Sequence, residues 1–406
     1  MSLDPQSTLN FLNNLDPMQC YGKVSKVVGL VAEGKGIKAP LGAVCHLITG
    51  EGLHKQEIAA EVVGFNNGSV LFMPYGDMRG IKPGSLIRNS STPPLFPVGM
   101  DCLGKALDSF GKPLDNSVEI SPKDYYPLYA QPLNPLKRPR ISEPLDVGVR
   151  SINSLLTLGK GQRVGIMAGS GVGKSTLMGM IARYTQADIN VIALVGERGR
   201  EVVEFIEKDL GAEGLARSVL VIATSDHSPL IRIRAAYAAT AMAEFFRDQG
   251  KDVILMMDSV TRFAMALREV GLAAGEPPTT RGYTPTVFAQ LPKLLERAGR
   301  NLSGSITGIY TVLVEGDDFN EPVADAVRSI LDGHIVLTRE LADQGHYPAI
   351  DVLKSISRLR ADIAPPEAIE AGKTVISNLA TYKRVEDMIN IGAYAKGSSP
   401  DIDKAL

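Results

Sequence analysis

The sequence has few cysteines and almost no excess charge of either sign. Its three cysteines, Cys20, Cys45 and Cys102, are an odd number without a CxxC spacing. They give no support for a disulfide framework or a zinc site, and a reducing compartment is the simplest environment for them. The 43 basic and 45 acidic residues leave a formal charge of −2, so bulk charge gives no support for wrapping nucleic acid.

Long hydrophobic runs are also lacking. No apolar run approaches the ~20 residues that a membrane-spanning helix requires, and the N-terminus does not have the basic-then-apolar layout of a secretion signal. Apolar residues make up 44% and charged residues 22% of the 406 residues, which is ordinary for a globular chain of two or three domains. If the protein works at a membrane, we therefore expect it to act from outside the bilayer.

The first 90 residues have the pattern of a small β domain. Turn formers at Asn66-Asn67-Gly68 and Pro83-Gly84 separate short β-branched stretches. The predicted strands are residues 24–31, 43–48, 58–63 and 69–73. This pattern predicts a β-barrel or sandwich domain over residues 1–92, and the breaker cluster at residues 90–94 is interpreted as a linker.

Beyond this linker the pattern changes to buried strands that alternate with helices. Residues 127–144 are too rich in proline for a long helix or a central strand. Apolar runs follow at residues 163–168, 191–195, 219–224, 253–257, 309–314 and 335–338, with an alanine-rich helix at 228–249. They predict a parallel sheet covered on both faces, in a domain over residues 93–360. After residue 360 the composition predicts a helical domain, 361–406.

The strongest local signal is a glycine loop between a predicted strand and a predicted helix. Its glycines let successive backbone N–H groups point at one anion, and the helix N-terminus adds its positive dipole end. Lys174 would reach the β- and γ-phosphates of a nucleotide, and the Ser175 hydroxyl would ligate Mg²⁺. The generic pattern begins with glycine where this chain has Ala168, which is tolerable if φ is negative there. The predicted phosphate loop consists of Gly169, Ser170, Gly171, Val172, Gly173, Lys174, Ser175 and Thr176. The competing interpretation is a turn without a ligand.

Two acidic residues follow predicted strands near this loop. Asp258 ends the apolar run 253–257, where it would support Mg²⁺, although strands also end in Asp for turn reasons. Glu197 follows the apolar run 191–195, which is the next predicted strand after the glycine loop, and could orient the attacking water. Alternatively, Glu197 offsets a helix dipole while Arg198 and Arg200 are solvated. The motif alone leaves both interpretations of Glu197 open.

Five segments together resemble the type III protein-export ATPases, which are related to the catalytic β subunit of F-type rotary ATP synthases. The similarity covers nearly the whole chain from about residue 20, with the motifs in the family's order. Residues 279–285, TTRGYTP, are more similar to the flagellar branch than to virulence-secretion relatives. The resembling segments are 169–176, 195–201, 254–264, 275–285 and 344–358.

The resemblance implies a fold and a set of site residues. The fold is a RecA-like P-loop NTPase core with an N-terminal β-barrel domain and a shortened C-terminal helical domain. Glu197 corresponds to the catalytic glutamate, and Arg198 to an arginine of the same loop. Tyr347 matches an aromatic that packs on adenine, Arg358 matches an arginine finger from the adjacent subunit, and Arg262 matches an arginine near the nucleotide. Tyr347 could instead be a core aromatic, and Arg358 a surface arginine.

The function implied by the resemblance is a Mg-ATP-hydrolysing motor of flagellar protein export. It would act as a homohexameric ring with active sites between subunits, in the cytoplasm and peripherally on the inner membrane at the flagellar base. Implied partners are a stator-like ATPase regulator, a central stalk protein, export gate membrane proteins, chaperones and cargo, but no nucleic acid. Leu9, Phe11, Leu12 and Leu15 form a weak apolar stripe, which we interpret as barrel packing or a disordered lead rather than a docking helix. We would expect further helices after Leu406 in this family.

Other functions remain open at this stage. One is a virulence-secretion ATPase, and another is a rotary synthase β-type subunit, which needs a companion α chain. An RNA-translocating ring would need an aromatic, basic groove on the β domain; Tyr21, Phe65, Phe72 and Tyr75 are there without a basic cluster around them. A nucleotide-binding structural switch would leave Glu197 and Arg358 without a role.

Overall fold

The computed structural model describes residues 20–50, 56–90, 94–115, 120, 122, 124–314, 316 and 318–406. The predicted apolar stripe at residues 9–15 and residues 91–93 of the predicted linker lie outside this described part. The chain divides into two compact units. One contains the barrel, up to Pro94, and Leu272–Glu276; the other contains Leu95–Gly271 and Pro277–Leu406.

The first unit is built on a closed antiparallel barrel with the strand order β1-β2-β5-β4-β3-β6. The strands are β1 (Tyr21–Val28), β2 (Val31–Lys35), β3 (Val44–Thr49), β4 (Gln56–Asn66), β5 (Ser69–Pro74) and β6 (Leu86–Asn89). Asn67 and Gly68, with φ of 45° and 76°, close the β4–β5 hairpin as the sequence predicts. The single strand predicted at residues 24–31 is wrong, because Gly29 takes a φ of 55° and turns the chain between β1 and β2.

The proline-rich stretch of the second unit contributes to short strand pairs and forms one turn of 3₁₀ helix (Pro135–Lys137), and its described residues form no long helix or central strand, as predicted. One pair is antiparallel between β7 (Leu95–Val98) and β9 (Asp124–Pro127), and the other between β10 (Pro144–Leu145) and β11 (Leu158–Gly159). Proline cannot donate a hydrogen bond to a ladder, which keeps such strands short and at edges.

The second unit has a nine-stranded sheet with the order β19-β18-β12-β17-β15-β13-β14-β8, and β16 pairs with β17 off this path. Its strands are β8 (Lys105–Leu107), β12 (Arg163–Ala168), β13 (Ile189–Val195), β14 (Ser218–Ala223), β15 (Asp252–Asp258), β16 (Gly299–Arg300), β17 (Ser305–Leu313), β18 (Gly333–Leu337) and β19 (Ile356–Ser357). All are parallel to their neighbours except β16 and β19. The six predicted apolar runs each fall on one of the parallel strands. The three-residue strand β8 is too short for sequence periodicity to reveal.

Helices pack around this sheet and continue to the end of the chain. They are α1 (Arg150–Leu155), α2 (Lys174–Tyr184), α3 (Gly199–Glu204), α4 (Gly211–Ala216), α5 (Pro229–Asp248), α6 (Val260–Ala274), α7 (Pro285–Leu295), α8 (Pro322–Ile330), α9 (Arg339–Asp343), α10 (Arg360–Ile363), α11 (Pro366–Asn390) and α12 (Pro400–Ala405). The alanine-rich α5 is buried over most of its length and contacts β13, β14 and β15. None of the described helices is long and apolar enough to cross a membrane.

The sheet register brings three loops to one edge. In β12 and β17, Ala168 pairs with Leu313, and in β13 and β15, Leu194 pairs with Asp258. Because the strands are parallel, their carboxyl ends are level, and the segments that follow them meet at this edge. The phosphate loop, Glu197 and Asp258 therefore come together.

Candidate active site

The phosphate loop connects the buried end of β12 to the first turn of α2. Gly171 and Gly173 have φ of 79° and 88°, in the left-handed region that favours glycine. Among the described non-glycine residues, positive φ occurs only at Asn67 and Arg281. The strand-end Ala168 therefore has a negative φ, and its methyl group is tolerated as the sequence analysis required.

A cavity of about 620 Å³ opens beside this loop. That volume is within the range of pockets for small molecules and cofactors. Besides loop residues, its lining includes Glu197, Arg198, Glu201, Arg262 and Arg339. The lining thus combines residues of the glycine loop with two acidic and three basic side chains from outside it.

Lys174, Asp258 and Glu197 form a largely buried charge cluster in this region. The Lys174 ammonium is ion-paired with Asp258 and lies 3.7 Å from Glu197 Oε1. Only 12% of the Lys174 side chain, 5% of Asp258 and 15% of Glu197 are exposed. Two carboxylates thus share one ammonium where water screens charge poorly.

This environment shifts the ionisation of both Glu197 and Lys174. Burial, together with the charge of Asp258, raises the pKa of Glu197 to about 7. Burial opposes the charge on Lys174, but the carboxylates of Asp258 and Glu197 outweigh it and raise the pKa of the ammonium. Lys174 therefore stays charged, whereas Glu197 exchanges its proton near neutral pH, as suits a general base.

The oxygen-rich groups around the cluster fit a magnesium ion that is bound together with a nucleotide. Glu197 Oε1 is buried and has no hydrogen-bond partner among the described residues. Ser175 lines the cavity from the first turn of α2, and Asp258 adds a second carboxylate. The described residues contain no group of three or more His, Cys, Asp or Glu side chains that could hold a metal alone. Mg²⁺ typically uses one or two carboxylates plus substrate phosphates, so this donor set fits it.

Two predicted arginines line the cavity. Arg198 is 71% exposed at its side chain and pairs with Glu201 at 3.3 Å. Arg262, in α6, lies against Gly196, where an added Cβ would come within 2.9 Å of the arginine Cβ. Its Nε is buried without a hydrogen-bond partner among the described residues. Arg262 therefore has an unsatisfied donor at the cavity, and Arg198 is held there by an exposed pair that an anionic ligand could replace.

Tyr347 lies next to the phosphate loop. Its side chain is 62% exposed, so it is not a core aromatic. A Cβ added at Gly173 would lie 3.6 Å from the tyrosine ring, which places the ring against the loop. An exposed aromatic face beside a phosphate site is suited to stack on a nucleobase.

Arg358 lies at the opposite end of the sheet. It follows β19, which pairs with Gly333 and His334 at the start of β18, and its backbone N–H donates to Asp332 O at 3.0 Å. The phosphate loop leaves the far end of β12, and six residues of strand span roughly 20 Å. Arg358 is therefore not brought to the loop of its own chain.

Three residues of the site were not predicted from the sequence. Arg339 Nη2 donates to the Ser170 carbonyl at 3.1 Å, and Glu201 lines the cavity from α3. Thr311 Oγ1 donates to Asp258 Oδ1 at 2.7 Å. The position of Glu201, four residues after Glu197, was a signal that could have been used. Arg339 and Thr311 come from distant parts of the chain, and no local pattern points to them.

The family models divide this chain into three matches. Residues 24–90 match the β-barrel domain of the ATP synthase alpha/beta family, and residues 148–357 match its nucleotide-binding domain. Residues 364–406 match the C-terminal domain of the type III secretion ATPase EscN. The predicted fold class is confirmed.

Similar proteins align over nearly the whole chain. The flagellum-specific ATP synthase of Bacillus subtilis is 57% identical over 403 residues, which are 99% of this chain and 91% of the relative. That of Salmonella typhimurium is 49% identical over 97% of this chain and 88% of its own length. A type 3 secretion system ATPase of Xanthomonas euvesicatoria is 51% identical over 95% and 87%.

Solved structures agree with these relatives. The assembled ATPase EscN from the enteropathogenic E. coli type III secretion system matches with a TM-score of 0.89 and 47% identity, covering 95% of this chain and 92% of that one. EscN in complex with its central stalk EscO matches with a TM-score of 0.86 and 46% identity, over the same shares. The resemblance stated from the sequence motifs is confirmed: the chain belongs to the ATP synthase alpha/beta family, in the branch of the flagellum-specific and type III secretion ATPases.

Proposed function

We propose that this protein is the Mg-ATP-hydrolysing motor of a flagellar type III protein export apparatus and acts as a homohexameric ring. The observation that carries the proposal is the separation of two groups of residues. Lys174, Glu197 and Asp258 meet at the phosphate loop, whereas Arg358 lies at the other end of the sheet. A complete site then needs a second copy of the chain.

The loop and its neighbours would bind the nucleotide. Backbone amides of residues 169–176 hold the phosphates, and Lys174 exchanges its contact with Asp258 for the β- and γ-phosphates. Tyr347 stacks on the adenine, and Arg262 neutralises phosphate charge. Ser175 and Asp258 would hold Mg²⁺, which supplies positive charge to the transferring phosphoryl group.

Glu197 and two arginines would act on the terminal phosphate. Glu197 accepts a hydrogen bond from a water molecule and orients it toward the γ-phosphorus. The water oxygen forms a bond to phosphorus while the bond to the β–γ bridging oxygen breaks; ADP leaves, and the water proton passes through Glu197 to the products. Arg358 of the partner subunit, with Arg198, spreads its charge over the phosphoryl oxygens of the transition state.

The proposed partners and location follow from the family. EscN has been seen assembled and with a central stalk, so we propose a central stalk protein for this chain as well. A stator-like regulator, export gate membrane proteins, chaperones and cargo complete the proposed set. The motor would work in the cytoplasm, peripherally on the inner membrane. We also propose the domain boundaries 1–92, 93–360 and 361–406, which limited proteolysis would test.

Glu197→Gln tests the site assignment. We expect kcat to fall by several orders of magnitude, because the amide can neither accept a proton nor hold the water in the same way. Binding of a fluorescent ADP analogue should persist, since the loop is intact. Glu204→Gln, at an exposed position at the end of helix α3, which begins two residues after Glu197, is the matched control and should hydrolyse ATP normally. Near-normal hydrolysis by purified Glu197→Gln would remove the carboxylate from its proposed role.

Service in virulence secretion is the second candidate function. It is favoured by the 51% identity to the Xanthomonas secretion ATPase and by the match to EscN. Complementation separates the two functions. The gene is introduced into a strain that lacks its flagellar export ATPase and into a strain that lacks its secretion ATPase. Restored swimming without restored effector secretion supports the flagellar function, and the reverse result contradicts it.

A further inference from the structure

A polar side chain lies inside the sheet next to the charge cluster. Thr311, in β17, is fully buried. Its hydroxyl is 2.7 Å from Asp258 Oδ1 and 3.2 Å from the Met257 carbonyl. A buried hydroxyl needs a partner, and a hydrogen bond to a charged acceptor is the stronger kind. The single hydroxyl hydrogen therefore goes to the carboxylate, which is also the nearer acceptor.

The sheet register explains why these two residues meet. In β15 and β17, Met257 pairs with Tyr310, so Asp258 and Thr311 are the next neighbours along the two strands. On its other side Thr311 pairs with Ile166 of β12, two residues before the strand ends at Ala168. Thr311 thus lies on the strand between Asp258 and β12, the strand that leads into the phosphate loop.

The other described side chain that donates to Asp258 is Lys174. The inference below rests on the proposed function, in which Lys174 turns to the nucleotide phosphates. Asp258 would then keep one donor from this structure, namely Thr311. Outer partners of this kind fix the direction of the carboxylate lone pairs, and they tune metal affinity without touching the metal.

We propose that Thr311 is a positioning residue for magnesium: its hydroxyl holds the Asp258 carboxylate in the direction that the metal site requires after Lys174 has moved away. It contacts neither nucleotide nor metal. Its effect passes through Asp258 alone, so its loss should weaken binding of the divalent cation and leave binding of metal-free nucleotide unchanged.

Thr311→Val tests this, because valine keeps the β-branched shape and removes the hydroxyl. With ADP bound, electron paramagnetic resonance of added Mn²⁺ should show roughly 10-fold weaker metal affinity. The Mg²⁺ concentration for half-maximal ATP hydrolysis should rise by a similar factor, with kcat at saturating Mg²⁺ nearly unchanged. Affinity for ADP in EDTA should match that of the wild type. Thr311→Ser should restore metal affinity, because serine restores the hydroxyl.

Thr307→Val is the matched control. Thr307 is buried in the same strand, and its hydroxyl accepts from the Gly161 N–H at 2.9 Å, away from the cluster. Its loss should leave Mn²⁺ affinity unchanged. If Thr311→Val does not fold, as judged by circular dichroism, Thr311→Ala removes the same hydroxyl and takes its place.

The outcomes separate this inference from the proposed function. Wild-type Mn²⁺ affinity in Thr311→Val, or failure of Thr311→Ser to restore it, would overturn the role of the hydroxyl while the hydrolase assignment stands. An equal loss in Thr307→Val would overturn it too, because the effect would then be general to the strand. A wild-type protein that needs no divalent cation for hydrolysis would instead count against the proposed function itself.

Discussion

The two ends of the parallel sheet differ in how their charged side chains are paired. At the carboxyl end, Lys174, Glu197 and Asp258 bury two acids with one base, and Glu197 Oε1 lacks a partner among the described residues. At the amino end, two arginines face two acids: Arg163 pairs with Asp332 through two hydrogen bonds of 3.1 and 3.2 Å and also with Glu296, and Glu296 pairs in turn with Arg138 at 3.1 Å. Matched pairs stabilise a scaffold, whereas an unbalanced cluster is suited to receive a ligand.

This difference bears on the proposed division of the site between two subunits. The carboxyl end carries the proposed phosphate, metal and water groups, and the amino end presents an exposed arginine, Arg358, beside paired charges. Because the two ends are about a strand length apart, a ring in which one subunit's amino end faces the next subunit's carboxyl end would complete every site.

The largest expected effect is on ATP hydrolysis, when one substitution is made at each end of the sheet and the two variants are mixed. In rings made of a single variant, Lys174→Ala and Arg358→Ala should each almost eliminate hydrolysis. For Arg358→Ala we expect kcat to fall by ~10³–10⁵. In rings assembled from an equal mixture, an intact loop meets an intact arginine at about a quarter of the interfaces if subunits mix at random. We therefore expect activity to return to about that fraction of the wild-type rate, measured by phosphate release.

Arg328→Ala is the control for this mixing experiment, since Arg328 is a neighbouring arginine at the same end that pairs with Asp325. It should retain hydrolysis. Mixed rings, seen by native mass spectrometry, that recover no activity would contradict a finger supplied between subunits. Full activity of Arg358→Ala alone would remove the finger assignment.

A second test asks whether a buried ion pair stabilises the fold. The pair chosen is more deeply buried than any other described here. Arg297 and Glu244 are joined by two hydrogen bonds of 2.9 and 2.6 Å, with side chains 1% and 8% exposed. Glu244→Gln leaves the guanidinium charge buried without its counter-charge, which costs about 3–5 kcal/mol. Thermal unfolding should occur at a clearly lower temperature, while kcat/KM of the folded protein stays near that of the wild type.

Glu370→Gln is the comparison for this stability test. Glu370 pairs with Lys373 at 3.3 Å on an exposed face of α11, where such a pair is worth about 0–1 kcal/mol. If the two substitutions lowered the unfolding temperature equally, the buried pair would not have the structural weight assigned to it. A selective loss of kcat in Glu244→Gln would show that the Arg297–Glu244 pair also affects the catalytic step.

The sequence predicts the parts of this molecule that short segments specify. The phosphate loop, the acid at the end of β15 and the alternation of strands and helices each depend on neighbouring residues. The order of the strands across the sheet depends on residues far apart in the chain, and so does the hydrogen bond between Thr311 and Asp258. The turn at Gly29 within a continuous β-branched run was missed because the apolar pattern continues through it.

The smallest expected effect is the pH dependence of kcat/KM, which tests the charge cluster at the carboxyl end of the sheet. In the proposed mechanism Glu197 acts as a carboxylate, and its pKa is raised to about 7. The kcat/KM of the free enzyme should therefore rise with pH, falling about tenfold for each pH unit below 7 and levelling above it. Because a hydrogen bond that protonated Glu197 donates to Glu201 contributes to the raised pKa, Glu201→Ala should move this limb to lower pH. A profile that is flat between about pH 5.5 and 8, measured in a buffer of constant ionic strength because salt weakens such charge interactions, would mean that Glu197 is not the titrating base. A limb that stays in place in Glu201→Ala would mean that Glu201 does not contribute to the raised pKa of Glu197.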